Sequence, residues 1–148
     1  MLTDKDRLAV LDLYGRYAHA FDHARADDCA ELFTADATFT TRGRTPIAGR
    51  DALREFFTQA STRSPGARHF TSNIVLTSAG PDRLDGSAYV MVLRITDDSV
   101  RLASLGVYQD QFVRTDAGWL IQSRHFLPAI PDTLAGGVLV AAAPSVLS

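Results

Sequence analysis

Asp22, His69, His125, Tyr14 and Tyr17 are the residues of this 148-residue chain whose types and positions could move a proton. Leu8, Leu11, Tyr14, Ala18 and Phe21 recur at three- and four-residue steps, the apolar stripe of a helix. Asp22 follows four residues after Ala18 and eight after Tyr14, so it points where they point, inward. A carboxylate at the negative end of a helix is mildly unfavourable, which favours a specific purpose over an idle turn into solvent. His69 opens a β-prone run whose alternation sets His69, Thr71, Asn73 and Val75 against Phe70, Ser72, Ile74 and Leu76. Two readings stay open: the polar row faces water, or it lines a pocket. Tyr14 and Tyr17 read either as core filler whose hydroxyl finds one partner or as site residues. His125 alternates with Trp119, Ile121 and Ser123 and reads equally as a satisfied inward histidine.

Other chemistries find little support. His19 and His23 are spaced for one helical face, but without a His-Glu-x-x-His pattern they read as solvated histidines. Asp22, His69 and His125 have no spacing that marks a two-histidine, one-carboxylate iron site. There is no Gly-x-Ser-x-Gly, and Cys29 falls among helical apolar residues. No Gly-rich phosphate loop precedes a helix, so no nucleotide cofactor is expected, and no metal.

The elements that must position these groups are legible from period and punctuation. Thr3 with Asp6 forms a weak capping box, and the first helix ends near Asp22. A short second helix is predicted from Ala26 to Phe33, then a β-prone stretch from Ala37 to Thr41 ended by Arg-Gly-Arg. A third helix carries Leu53, Phe56, Phe57 and Ala60 at helical spacing. Beyond Ser64-Pro65-Gly66 the period becomes two. Strands are predicted at Arg68 to Thr77, Leu84 to Thr96, Val100 to Arg114 and Trp119 to Leu127, joined by short turns rich in Gly, Pro or Asp. The pattern is α+β: a strongly curved antiparallel sheet closed into a cone by three helices from the N-terminal half.

Composition bounds the partners. Apolar residues are 46% and charged residues 22%, as in ordinary globular domains, so one domain spanning 1–148 is expected. A formal net charge of -2 gives no general attraction to nucleic acid or anionic membranes. A single cysteine excludes an internal disulfide. Charges at the N-terminus and the lack of any long apolar run argue for a cytoplasmic protein that neither enters nor crosses a membrane. The tail 128–148, apolar around Leu134 to Val140, is expected to act as a lid or interface element.

Tyr-Ala-His-Ala-Phe-Asp (17–22), Ala-Asp-Asp-Cys-Ala-Glu-Leu-Phe (26–33), Ala-Asp-Ala-Thr-Phe (35–39), Ile-Ala-Gly-Arg-Asp-Ala-Leu-Arg-Glu-Phe-Phe (47–57) and Arg-His-Phe-Thr-Ser-Asn (68–73) together resemble SnoaL-like proteins of the NTF2-like superfamily. The segment Tyr108 to Val113 with Asp-Ala-Gly-Trp-Leu-Ile (116–121) fits the last hairpin, so the likeness covers residues 4 to 127. The closest branch holds scytalone dehydratase, bile-acid 7α-dehydratase and ring-hydroxylating dioxygenase β subunits. The resemblance implies Tyr17, Asp22 and His69 as catalytic residues, with the Tyr17-to-Asp22 gap that of the bile-acid enzyme. It departs from scytalone dehydratase at Phe21, where that enzyme has a tyrosine. The second histidine of that enzyme also has no counterpart in Met91 to Ile95.

A carboxylate that holds an imidazole in one tautomer leaves the other ring nitrogen as a base near neutral pH. The expected function is therefore a cofactor-free dehydratase or cyclase acting on a hydrophobic, polycyclic or polyketide-like small molecule. Tyr14, Phe21, Phe56, Asn73, Met91, Tyr108 and His125 are expected to bind the substrate. The resemblance also implies a homo-oligomer, dimer or trimer, formed through the outer face of the sheet. The alternative is a non-catalytic binder or a dioxygenase β-subunit-like scaffold. Epoxide opening or ketosteroid-type isomerisation ranks lower, since Asp110 is the one other acid with an inward aspect.

Overall fold

Thr3 starts the first helix with a reciprocal cap: its Oγ1 accepts the Asp6 N–H at 3.2 Å, and Asp6 Oδ2 accepts the Thr3 N–H at 3.1 Å. In the computed structural model, which describes residues 2–129 and 138–142, this helix is α1 (Asp4–Asp22). Asp6 does more than cap. Its Oδ1 accepts from Trp119 Nε1 at 3.0 Å and from Arg114 at 2.7 Å, so the start of α1 is tied to the far end of the sheet. A short helix α2 (Ala26–Glu31), a strand β1 (Phe33–Thr41), a two-residue β2 (Ile47–Ala48) and helix α3 (Arg50–Arg63) follow. The meander then runs through β3 (Ala67–Gly80), β4 (Arg83–Ile95), β5 (Ser99–Thr115) and β6 (Gly118–Pro128), and β7 (Val138–Ala142) ends the described chain.

The sheet has the order β2-β1-β6-β5-β4-β3, with β7 also on β5. The expected α+β architecture of helices over a curved, unclosed sheet is what forms, with one correction: the sheet is mixed, because β1 pairs with β6 in parallel. Hairpin turns force antiparallel pairing only on consecutive strands. The link from β1 to β6 passes through α3 and four strands, so no turn constrains its direction. A second correction concerns the boundary after α2. Phe33 is the first residue of β1 rather than the last of a helix, because the Ile121 N–H takes the Leu32 carbonyl at 2.9 Å and draws the chain into the sheet.

The core lies between the helices and one sheet face, built on Val10, Leu13, Tyr14, Tyr17, Phe33, Phe57 and Phe112. Two bulges decide what else reaches it. On β3, Ser72 pairs Tyr89 but Val75 pairs Ser87, leaving an extra residue at Asn73, whose φ is 53°. His69 and Thr71 therefore share the helix-covered face with Ile74 and Leu76, while Phe70 and Val75 stand outside. On β6, Ile121 pairs Phe112 and Ser123 pairs Gln111, so Gln122 is the extra residue. Trp119 and Ile121 face inward before it, Arg124 and Phe126 after it.

The apolar stretch Leu134 to Val140 lies partly outside the described residues. Its part from Val138 is strand β7, paired with β5 at Ser99 to Leu102 and exposed. No helix of the described chain is long and apolar enough to cross a membrane.

Candidate active site

α1 delivers Asp22 at its last turn. The helix closes there because Ala24 takes a left-handed φ of 55° and the Arg25 N–H reaches back to the Ala20 carbonyl at 2.8 Å. The freed side chain of Asp22 meets the first inward residue of β3 after Ala67. Asp22 Oδ2 accepts the His69 main-chain N–H at 2.9 Å, and Oδ1 binds His69 Nδ1 at 2.6 Å. The side chains are 6% and 8% exposed. An ionised carboxylate only accepts, so the contact assigns the proton to Nδ1 and leaves the Nε2 lone pair free. No described residue bonds Nε2.

Aromatic rings wall this imidazole. Phe21 lies 4.6 Å from it, centroid to centroid, and Tyr17 meets it edge-on at 6.1 Å. Tyr17 also touches Phe33, Phe57 and Tyr108. Burial pushes the Tyr17 hydroxyl well above the usual tyrosine range, with the Arg124 guanidinium pulling the other way. Tyr17 is therefore a protonated donor at any ordinary pH.

Beneath the tyrosines lies a pair that sequence alternation misses. Arg124 grips Asp110 with two parallel bonds, Nε to Oδ1 and Nη2 to Oδ2, each 2.8 Å, and both side chains are fully buried. The guanidinium carbon lies 3.9 Å from the Tyr108 ring centroid, 4.5 Å from Tyr17 and 5.5 Å from Tyr14. Arg124 Nη1 and Tyr14 Oη are buried without a partner. Desolvation and Asp110 raise the Tyr14 hydroxyl strongly. Gly86 makes room for it, since a Cβ there would come within 2.8 Å of Tyr14 Oη. The bulge at Gln122 hides Arg124 from a period-two reading; the one available signal is that an inward Asp110 requires a counter-charge.

The structure thus brings Asp22, His69, Tyr17, Phe21, Tyr14 and Tyr108 together in one region. Phe56 packs at its edge, 5.4 Å from both Phe39 and Phe57. Three expected binding residues are elsewhere. Asn73 is exposed, with its Oδ1 taken by the Ser72 hydroxyl at 2.9 Å, because the bulge rotates it out. Met91 pairs with Phe70 and Leu105 on the outward face, since Ala88 and Val90 hold the inward positions of β4. His125 also turns outward and lines an open groove of about 430 Å³ with Gln109, Gln111 and Ser123. A second groove, of about 660 Å³, runs beside α1 and α2 at Arg16, His19 and Arg25. Neither groove is lined by Asp22 or His69. The His19 and His23 rings stack at 6.2 Å, and no metal-ligating cluster of three groups occurs among the described residues.

Comparison with known proteins agrees with this architecture. The family model of the SnoaL-like domain matches residues 4–125. The uncharacterised protein Rv2910c of Mycobacterium tuberculosis is 29% identical over 121 residues, 80% of this chain and 82% of that protein. An NTF2-like protein with a cystatin-like fold from Novosphingobium aromaticivorans superposes with a TM-score of 0.77 at 22% identity, covering 89% of this chain and 87% of that one. A scytalone dehydratase-like protein of the same organism gives 0.73 at 20% identity, covering 84% of each chain.

Proposed function

The chain belongs to the SnoaL-like domain family, and from that premise we propose that it is a cofactor-independent acid/base enzyme that dehydrates a hydrophobic, polycyclic or polyketide-like hydroxy-carbonyl compound. The observation that carries this reading is the double grip of Asp22 on His69, with bonds of 2.9 and 2.6 Å. His69 Nε2 removes the proton beside the carbonyl, and Asp22 stabilises the imidazolium that results. The electron pair moves into an enolate whose oxygen accepts a hydrogen bond from the Tyr17 hydroxyl. Collapse of the enolate expels the β-hydroxyl, which takes the proton back from His69 and leaves as water. The product is the α,β-unsaturated carbonyl, and His69 is neutral again. If the enolate instead attacks a second carbonyl of the same molecule, the same groups perform an aldol ring closure.

Tyr17 suits the donor role because burial disfavours its anion. Arg124 meets one carboxylate only among the described residues, an arrangement poorer than the two acids flanking an arginine that epoxide opening favours. The test begins with native mass spectrometry of the purified protein to identify a carried ligand. Turnover of that compound should fall 10²- to 10⁴-fold in His69→Asn while binding persists. Unchanged turnover would remove His69 from the reaction and leave a binding protein.

A further inference from the structure

Arg94 and Arg101 face each other directly across β4 and β5. Arg94 also pairs Ala67, two residues along from the pair of His69 with Val92. Partners opposite each other in an antiparallel ladder, and residues two apart on a strand, share a face. Both arginines therefore project on the helix-covered face that carries His69, toward the end of the sheet where β4 turns into β5. Like charges directly opposite on a ladder destabilise it. Neither arginine has a carboxylate within ion-pair reach among the described residues. Arg94 Nε is moreover sealed from solvent with no hydrogen-bond partner.

The described residues offer no inward carboxylate to relieve them. Asp22 spends both oxygens on His69, Asp110 both on Arg124, and Asp6 is bound by Thr3, Trp119 and Arg114. Asp98, on the hairpin beside Arg101, accepts from Thr96 Oγ1 at 2.8 Å. Two guanidinium groups beside an imidazole base, one with a buried unspent donor, form a receptor lacking its anion. We propose that Arg94 and Arg101 bind a carboxylate carried by the small molecule on which His69 acts. This rests on the reading of His69 as the reacting base and adds a substrate class to it: hydrophobic carboxylic acids. A planar carboxylate can take one N–H bond from each guanidinium, geometry that a lone lysine does not supply.

The experiment titrates the full chain with 2-naphthoate and with 2-naphthamide by calorimetry at low salt. Naphthoate should bind at least tenfold more tightly, and the preference should shrink below threefold in Arg94→Gln and in Arg101→Gln, with partial recovery in Arg94→Lys. Without ligand, Arg94→Gln should melt a few degrees higher, because an uncompensated cation has gone. Equal affinities, no binding of either probe, or a preference that survives both substitutions overturns the anion site. Turnover in His69→Asn is read separately. An intact naphthoate preference with undiminished turnover keeps the anion site and removes the dehydration mechanism, whereas lost turnover with equal affinities does the reverse.

Discussion

The carboxylate of Asp22 holds His69 at two points, ring Nδ1 at 2.6 Å and main-chain N–H at 2.9 Å, so one side chain fixes both the tautomer and the start of β3. Asp22→Asn presents a single acceptor where two are needed and lets the ring turn over. The ¹⁵N spectrum of the imidazole should change from Nδ1–H in the parent to a mixture or Nε2–H in the variant. Turnover of the identified ligand should fall by about 10⁴, the size known for a wrong-tautomer histidine. A spectrum identical to the parent would detach Asp22 from tautomer control.

Arg124 and Asp110 are fully buried and, among the described residues, form an ion pair with each other alone. Arg124→Met strands a carboxylate under three tyrosines, and urea denaturation should report a loss of about 3–5 kcal/mol. The double variant Asp110→Leu with Arg124→Met should recover most of it, since no lone charge remains. A double variant as unstable as the single one would show that the aromatic stacking on Arg124 carries the stability.

Thr3, Trp119 and Arg114 hold the Asp6 carboxyl well below its ordinary value of 3.8. A depressed carboxyl contributes stability that is complete above the unfolded value and fades as pH falls toward the folded one. Below about pH 4, Asp6→Asn should therefore lose less melting temperature than the parent, while at pH 7 it is the less stable of the two. Parallel curves would place the acid sensitivity elsewhere.

Ala24 adopts a left-handed φ of 55° to close α1 just past Asp22. That conformation costs a side-chain residue about 1–2 kcal/mol, part of which the extra freedom of unfolded glycine offsets. Ala24→Gly should raise stability by about 1 kcal/mol in chemical denaturation and leave the His69 imidazole spectrum unchanged.

Cys29 is fully buried, and burial beside Asp28 pushes its thiol up to about 12. Iodoacetamide at pH 8 should leave it unmodified in the folded protein and alkylate it readily in urea. Rapid labelling of the folded chain would contradict the closed packing of α2.

Where a single period ran unbroken, the sequence could be read. The stripe of α1 held only in its second half: Tyr14, Ala18 and Phe21 lie on the core side with Asp22, whereas Leu8 and Leu11 are exposed and Val10, Leu13 and Tyr17 take the buried positions. The His69 half of the pair was legible as one of two faces of β3, and the helices above chose between them. Alternation failed at Asn73 and Gln122, because one inserted residue reverses every later side chain and no local composition marks it. One extra residue on each strand turns Asn73 out of the row of His69, and His125 out of the row of Ile121. Met91 faces outward because Ala88 and Val90 take the inward positions of β4, a choice of face that no residue beside it marks. The parallel pairing of β1 depends on contacts across about eighty residues, beyond any local signal.

The extra residue at Gln122 has an engineering consequence. Excising it would leave a continuous ladder with Arg124 still inward, whereas flattening it with Gln122 retained in the ladder would exchange the lining of the β6 end, bringing an imidazole under the tyrosines and exporting the guanidinium to water. Asp110 would then face a titratable neighbour instead of a permanent cation, and the interior would acquire a charge that depends on acidity. A one-residue change of register thus offers this scaffold a route to new chemistry that point substitution reaches only in several steps.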